Sequence, residues 1–222
     1  MLSPIVVLSI FFITLVIALL SGLIFINLSV PIKYIKIHLC LLVFPVVVSL
    51  LGLFTTQLRE EVGPFTLDHL AWLLASFILI LGFIIQKFSV RYLSGDRNYR
   101  KYLPFFTLIT AFASLAWLSG DLRLMALFWG ATLFSLTMLI RLNRLWKIPY
   151  EVAKISGKSF ALGWLSILIV VVLLYVSTGN WHINTMTTYD SVNPGLKLFI
   201  NILIVMAVNH TSCAISVSKL VD

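Results

Sequence analysis

"DLRLMALFWGATLFSLTMLIRLNR", residues 121–144, decides the class of this fold. Its stretch from Leu124 to Ile140 carries no charge, while Asp121 and Arg123 stand before it and Arg141 and Arg144 after it. An α-helix needs about 17–25 predominantly apolar residues to cross the hydrocarbon of a bilayer, and this stretch supplies them. At its centre Trp129 is followed by Gly130, a large ring beside a residue with no side chain.

The same pattern recurs on both sides. Spanning helices are predicted over about 4–26, 38–54, 69–90, 102–118, 122–142, 159–176 and 196–216. Asn209, His210, Thr211 and Ser212 interrupt the last run, which predicts a broken or re-entrant seventh helix over 195–222. Polar backbone at membrane depth needs cover from protein or a water-filled cavity. The first run has no basic n-region, exceeds the usual 7–15 apolar residues of a signal peptide and is followed by no A-x-A-like site, so it reads as a helix.

Composition agrees. The chain is 60% hydrophobic and 11% charged with mean hydropathy +1.06, against roughly 45–50% and 25% in soluble domains. The expected fold is all-α, a polytopic transmembrane helical bundle of about seven spans, forming a single membrane domain over 1–222.

A net charge of +8 raises nucleic acid as a partner, but the placement of the charges answers it. Lys33 and Lys36 lie between the first and second runs. Lys87, Arg91, Arg97, Arg100 and Lys101 lie around the third-to-fourth connection, and Arg141, Arg144, Lys147, Lys154 and Lys158 around the fifth-to-sixth. The alternate connections hold only Arg59, Arg123 and Lys197 against Glu60, Glu61, Asp68, Asp121 and Asp190. Basic loops face the cytoplasm, which places the N-terminus outside and the C-terminus inside. Nucleic-acid binding drops out. On the cytoplasmic surface Arg91, Arg97, Arg100, Lys101, Arg144 and Lys147 are candidates for docking a partner, or serve only to set topology.

Cys40 and Cys213 sit inside apolar runs with no C-x-x-C spacing, which favours small buried hydrophobes over a metal site. The sequons at Asn27 and Asn209 fall at or within spans, where glycosylation is not expected. The chain shows no repeat, no phosphate-binding or dinucleotide-binding glycine motif and no G-x-S-x-G, so no cofactor is proposed and no catalytic motif identifies an enzyme. Energy must come from an ion gradient or a partner chain. Asp68 opens the third run after the turn signal Gly63-Pro64 and the extended stretch Phe65–Leu67, so with His69 it is either a helix cap beside an interfacial residue or a proton-handling pair.

Three pieces in order carry a resemblance: Phe65-Thr66-Leu67-Asp68, then "YLSGDRNYRKY" over 92–102, then "DLRLMALFW" over 121–129. Together with their spacing they resemble the N-terminal half of the proton-conducting membrane transporter family. That family holds the chain-5-type (L) subunit of NADH-quinone oxidoreductase, the large Mrp antiporter subunit and the membrane subunit of the Dab inorganic-carbon pump, DabB. The core of the likeness runs over about 63–160. Two branches keep a glutamate after the tryptophan of the fifth helix, the position that Gly130 holds here. Trp129, Ala131, Ser135 and Leu136 fit the Dab branch, which also lacks that acid.

Further along, Lys158-Ser159-Phe160 matches the K-x-F element before the sixth helix, whereas the family's R-x-G-D is replaced by "GWLSI" over 163–167. The lysine of the seventh helix aligns with His210. The resemblance therefore makes His210, Lys158, Asp68 and His69 the proton-path candidates and Gly130 a lost acid position. It also implies about fourteen helices of about 20 residues each, of which this chain supplies half. The expected function is that of a membrane subunit in a proton-coupled transport complex at the bacterial inner membrane, energising CO2 or bicarbonate uptake. Its expected partners are a chain with the remaining helices, a soluble zinc-containing DabA-like subunit, or both. A shortened chain-5/L-like subunit of a proton-pumping oxidoreductase and a non-catalytic scaffold stand as alternatives.

Overall fold

The computed structural model describes residues 3–27, 35–56, 59–92, 99–142, 147–183 and 194–219. Among these described residues, seven helices are long and apolar enough to cross a membrane. They are α1 (Pro4–Asn27), α2 (Ile35–Thr55), α3 (His69–Tyr92), α4 (Tyr99–Leu118), α5 (Leu122–Ile140), α6 (Lys147–Thr178) and α7 (Pro194–Lys219). A short antiparallel hairpin, β1 (Glu60–Val62) with β2 (Phe65–Leu67), precedes α3. Its turn falls where Gly63 takes φ +60°, a conformation that suits a residue without Cβ. The chain is a multi-pass membrane protein, and the elements among its described residues are α-helical apart from this hairpin and an isolated bridge between Asp121 and His182.

Two helices depart from the boundaries read in the sequence. α6 begins at Lys147, about three turns before the apolar run read at 159–176, so Lys154 and Lys158 sit on a helix rather than in a loop. α7 runs unbroken through Asn209–Ser212, correcting the broken or re-entrant seventh helix expected there. Thr211 shows why the polar stretch is tolerated: its hydroxyl donates to Ala207 O (3.1 Å) and Val208 O (2.8 Å), both one turn back on its own helix.

The helices form two compact units, Met1–Leu118 and Ser119–Asp222. In the first, α1–α4 close a ring in which each helix packs on its neighbours and α1 also meets α4. In lipid no hydrophobic force drives helices together, so close packing of small residues against large ones must do it. Trp72 of α3 is the clearest case. It is fully buried, its ring meets Phe11 edge-on at 5.4 Å, and a Cβ at Gly52 would sit 2.6 Å from it. In the second unit α6 is central, with α5 and α7 packed on it. Its core is Leu122, Ala126, Val170, Val171, Leu174, Ile200 and Leu203. Cys40, expected inside, is exposed on the chain's surface.

Candidate functional site

Among the described residues, four polar side chains meet inside the first unit, one from each helix. His38 of α2 is fully buried. Its Nδ1 lies 2.7 Å from Ser21 Oγ of α1, and its Nε2 lies 3.2 Å from Gln86 Oε1 of α3 and 3.3 Å from Thr107 Oγ1 of α4. Gln86 Nε2 donates to Thr107 Oγ1 at 3.2 Å. The two hydroxyls reach the backbone of their own helices, Ser21 to Ala18 O (2.7 Å) and Thr107 to Leu103 O (2.9 Å).

Alternating helix direction explains the convergence. Ser21 is late in α1, His38 early in α2, Gln86 late in α3 and Thr107 early in α4, so all four fall at one end of the bundle. Gly22 leaves space for the imidazole: a Cβ there would stand 3.3 Å from His38 Cε1 and 3.4 Å from Pro104 Cα. Gln86 and His38 at 0% exposure in an apolar bundle are costly unless bonded, and here they are bonded. Buried hydroxyls continue along the same face of α4 at Thr110 and Ser114.

The residues selected from sequence do not come together in this way. Asp68 caps α3, accepting from Ala71 N at 2.6 Å, and His69 beside it is exposed, which is the cap arrangement. Lys158 is exposed on α6, and His210 is half-buried on α7, its Cβ 3.6 Å from the place a Cβ would take at Gly163. Among the described residues neither makes a hydrogen bond or ion pair with the other. Arg91 and Lys101 are exposed. Arg97 and Arg144 lie outside the described residues, as do the side chains of Arg100 on α4 and Lys147 on α6.

Gly130 has a clear reason. The indole of Trp164 from α6 packs against it, with Cε2 only 2.6 Å from where a Cβ would stand, and Trp164 Nε1 donates to Ala126 O at 2.8 Å. The space beside Gly130 is filled by an aromatic ring from the neighbouring helix. Beside it runs an apolar groove of about 440 Å³, whose lining includes Ala131, Phe134, Phe160 and Trp164.

At the other end of the second unit, Asp121 caps α5 through Arg123 N (2.8 Å) and pairs with Arg123 Nη2 (2.7 Å). The Arg123 guanidinium lies 4.8 Å from the ring centroid of Trp181, which stacks on Tyr175 at 3.8 Å. Leu122 N donates to Trp181 O and Ile183 N to Gly120 O, tying the end of α6 to the start of α5. The Arg123 guanidinium beside Asp121 holds its carboxyl below the usual carboxylate range.

His38 is the residue that sequence reasoning missed. A signal existed: a histidine at the head of a long apolar run, together with the polar residues Ser21 and Gln86 in two others. What spacing could not give was that four antiparallel helices would bring them to one level.

A bundle of helices long and apolar enough to cross a membrane defines a polytopic membrane protein. Residues 119–219 match the family described as NADH:quinone oxidoreductase/Mrp antiporter, TM, and residues 63–103 match NADH-ubiquinone oxidoreductase (complex I), chain 5 N-terminus. Over these two stretches the chain is similar to membrane subunits of this family.

It is 49% identical over 205 residues to the probable inorganic carbon transporter subunit DabB of Bacillus subtilis (strain 168), covering 90% of this chain and 40% of that one. A second relative of the same description, from Bacillus anthracis, is 45% identical over 210 residues, covering 93% of this chain and 41% of that one. The chain thus spans about two-fifths of the length of the curated relatives it matches. Among solved structures, the Mrp complex from Dietzia sp. DQ12-45-1b aligns with TM-score 0.74 at 21% identity, over 94% of this chain and 24% of that one. The membrane-bound sulfane sulfur reductase, an archaeal respiratory membrane complex, aligns with TM-score 0.71 at 17% identity, over 89% and 33%. These likenesses show the fold, and the resemblance read from Phe65–Asp68, 92–102 and 121–129 is borne out.

Proposed function

We propose that this chain forms the N-terminal helices of a membrane subunit in a proton-coupled transport complex that drives inorganic-carbon uptake. The observation that carries this is the 49% and 45% identity, over nine-tenths of the chain, to two proteins described as inorganic carbon transporter subunits. Placement in a bacterial inner membrane, with the basic ends of the helices cytoplasmic, follows from the positive-inside rule. The partners are the remaining helices of the antiporter-like fold and a soluble zinc-containing subunit that hydrates CO2, docked on the basic surface that includes Arg91 and Lys101. The proton-path roles proposed for His210 and Lys158 belong to this reading.

The test is genetic. A strain lacking the chain should need elevated CO2 to grow and recover on re-expression; normal growth in air, with unchanged bicarbonate accumulation, rejects the carbon-uptake role.

A second reading has its own observation. Trp164 occupying the Gly130 slot supports a scaffold subunit whose fifth helix carries no proton. A deletion that lowered complex yield while leaving transport per complex unchanged would favour it.

A further inference from the structure

We infer that His38 is a buried proton-binding site of the first unit, a two-sided relay in which a proton enters at Nδ1 and leaves at Nε2. Its part in transport rests on the function proposed above; the binding of the proton does not.

The bonds around the ring carry the argument. With both ring nitrogens protonated, each donates: Nδ1 to Ser21 Oγ (2.7 Å) and Nε2 to Gln86 Oε1 (3.2 Å). Ser21 then donates to Ala18 O, Gln86 Nε2 to Thr107 Oγ1, and Thr107 to Leu103 O. Both chains of donors end on a backbone carbonyl, so the charged ring leaves none of these groups unpaired.

Each neutral form differs by one proton and by rotation of the groups that bond the bare nitrogen. If Nδ1 lacks its proton, Ser21 turns its O–H from Ala18 O to the ring. If Nε2 lacks its proton, Thr107, 3.3 Å away, turns its O–H from Leu103 O to the ring, and the Gln86 amide turns its Oε1 away from the bare nitrogen. Adding a proton at Nδ1 and removing one at Nε2 therefore carries one proton across the imidazole, from the α1 side to the side of α3 and α4. Atoms balance because the proton gained at Nδ1 is taken up on the α1 side and the one lost from Nε2 is passed to an acceptor on the α3 and α4 side, and the motions are those of two hydroxyls and one amide. Imidazole is the side chain suited to exchange protons near neutral pH, and an ionisable group within a span is a functional candidate by default.

The surroundings suit the role. α1 carries no titratable group, and none of the helices α1–α4 carries a carboxylate. Lys36 and Cys40 on α2, His69, Lys87, Arg91 and Tyr92 on α3 and Lys101 on α4 are exposed, and Tyr102 on α4 is half-buried, with Ser89 donating to its hydroxyl. Proton supply is from water at the end of the bundle where Lys36, Lys87 and Lys101 emerge. Onward from Nε2, the buried hydroxyls of Thr107, Thr110 and Ser114 lie at i, i+3 and i+7 on α4, a polar stripe about two turns long.

The chain has four histidines, so replacing His69, His182 and His210 by Gln leaves His38 as the sole imidazole. In that chain, nitrogen-15-labelled at histidine and reconstituted in lipid bilayers, solid-state NMR reads the protonation of each ring nitrogen directly. Lowering pH from about 8 to about 5 should convert a singly protonated ring to a doubly protonated one. Thr107→Val should remove the form in which Nε2 is bare and leave the other two. A ring held in one tautomer throughout that range, unmoved by Thr107→Val, overturns the site.

In vesicles holding the assembled complex, His38→Asn should cut proton-driven uptake by on the order of 100-fold, with assembly checked by co-purification. Wild-type vesicles blind to a proton gradient would sink the transport reading while leaving the NMR result standing. Full transport in His38→Asn would remove His38 from the path.

Discussion

The two units of this chain solve the same problem, packing helices in lipid, with opposite interiors. In the first, α1–α4 bring Ser21, His38, Gln86 and Thr107 together, and polar groups bridge all four helices. In the second, α5 and α6 meet through Gly130 and Trp164, whose indole N–H donates to Ala126 O, and around the aliphatic core the buried polar side chains include the hydroxyls of Ser135 and Ser156, with no buried imidazole or amide among the described residues. The lesson is that sequence position alone does not say which helix carries the chemistry. The fifth helix has the family's tryptophan and the run that defines the fold, yet the ionisable interior lies in the helices before it.

The sharpest way to break that comparison is to put an acid at Gly130. Gly130→Glu places a carboxylate against the Trp164 ring, combining overpacking with an unpaired buried charge, and should destabilise the second unit by about 3 kcal/mol or more. Thermal unfolding in detergent reads this. Adding Trp164→Gly should recover part of the loss by reopening the slot. A Gly130→Glu chain as stable as the parent would mean that the indole swings aside at little cost.

The corresponding change in the first unit is smaller. Gln86→Leu removes the acceptor from His38 Nε2 and the donor to Thr107, leaving buried polar groups short of partners at a cost of about 2 kcal/mol. Gln86→Glu should keep the bond to His38 and add charge, so comparing the two separates loss of a bond from a change of electrostatics. A Gln86→Leu chain with an unchanged melting temperature would show that water replaces the amide.

Much of this was readable from the residues. Seven spans, the turn at Gly63-Pro64 and the Asp68 cap follow from local rules: apolar length, turn chemistry and a side-chain oxygen before a helix. What local rules cannot supply is convergence. His38, Gln86 and Thr107 are separated by 48 and 21 residues, and only the antiparallel order of helices sets them at one level. His210 drew attention through alignment with a lysine, but α7 carries it unbroken and half-buried. The start of α6 at Lys147 was hidden because its first turns are polar, and apolar periodicity reports the membrane span rather than the helix that extends beyond it.

The hairpin end of the first unit gives the next step down. Asp68→Ala removes the oxygen that accepts from Ala71 N and should cost about 1 kcal/mol. Asp68→Asn should retain most of it, because capping needs an acceptor and not a charge. If Asn failed where Asp succeeds, Asp68 would be acting through its charge, and the proton-handling role weighed for Asp68 and His69 would gain its first support.

The smallest effect belongs to the matching end of the second unit, where Asp121 caps α5 with its charge in use. The hydrogen bond from Arg123 is the main reason its carboxyl titrates below the usual carboxylate range, with His182 adding to it. A depressed carboxylate stabilises the folded chain at pH above its unfolded value of about 3.9, and that contribution is lost as pH falls through the folded value. Melting temperature should therefore be flat from neutral pH down to about 4 on this account and fall below it. Arg123→Gln removes both the ion pair and the guanidinium beside Trp181, and should lower stability slightly at neutral pH while flattening the acid slope. Because Arg123 is 59% exposed, salt should shrink the difference between the two chains. If the slope survived in Arg123→Gln, the backbone N–H at the helix start, and not the ion pair, would be what holds the Asp121 charge, making this cap the counterpart of Asp68.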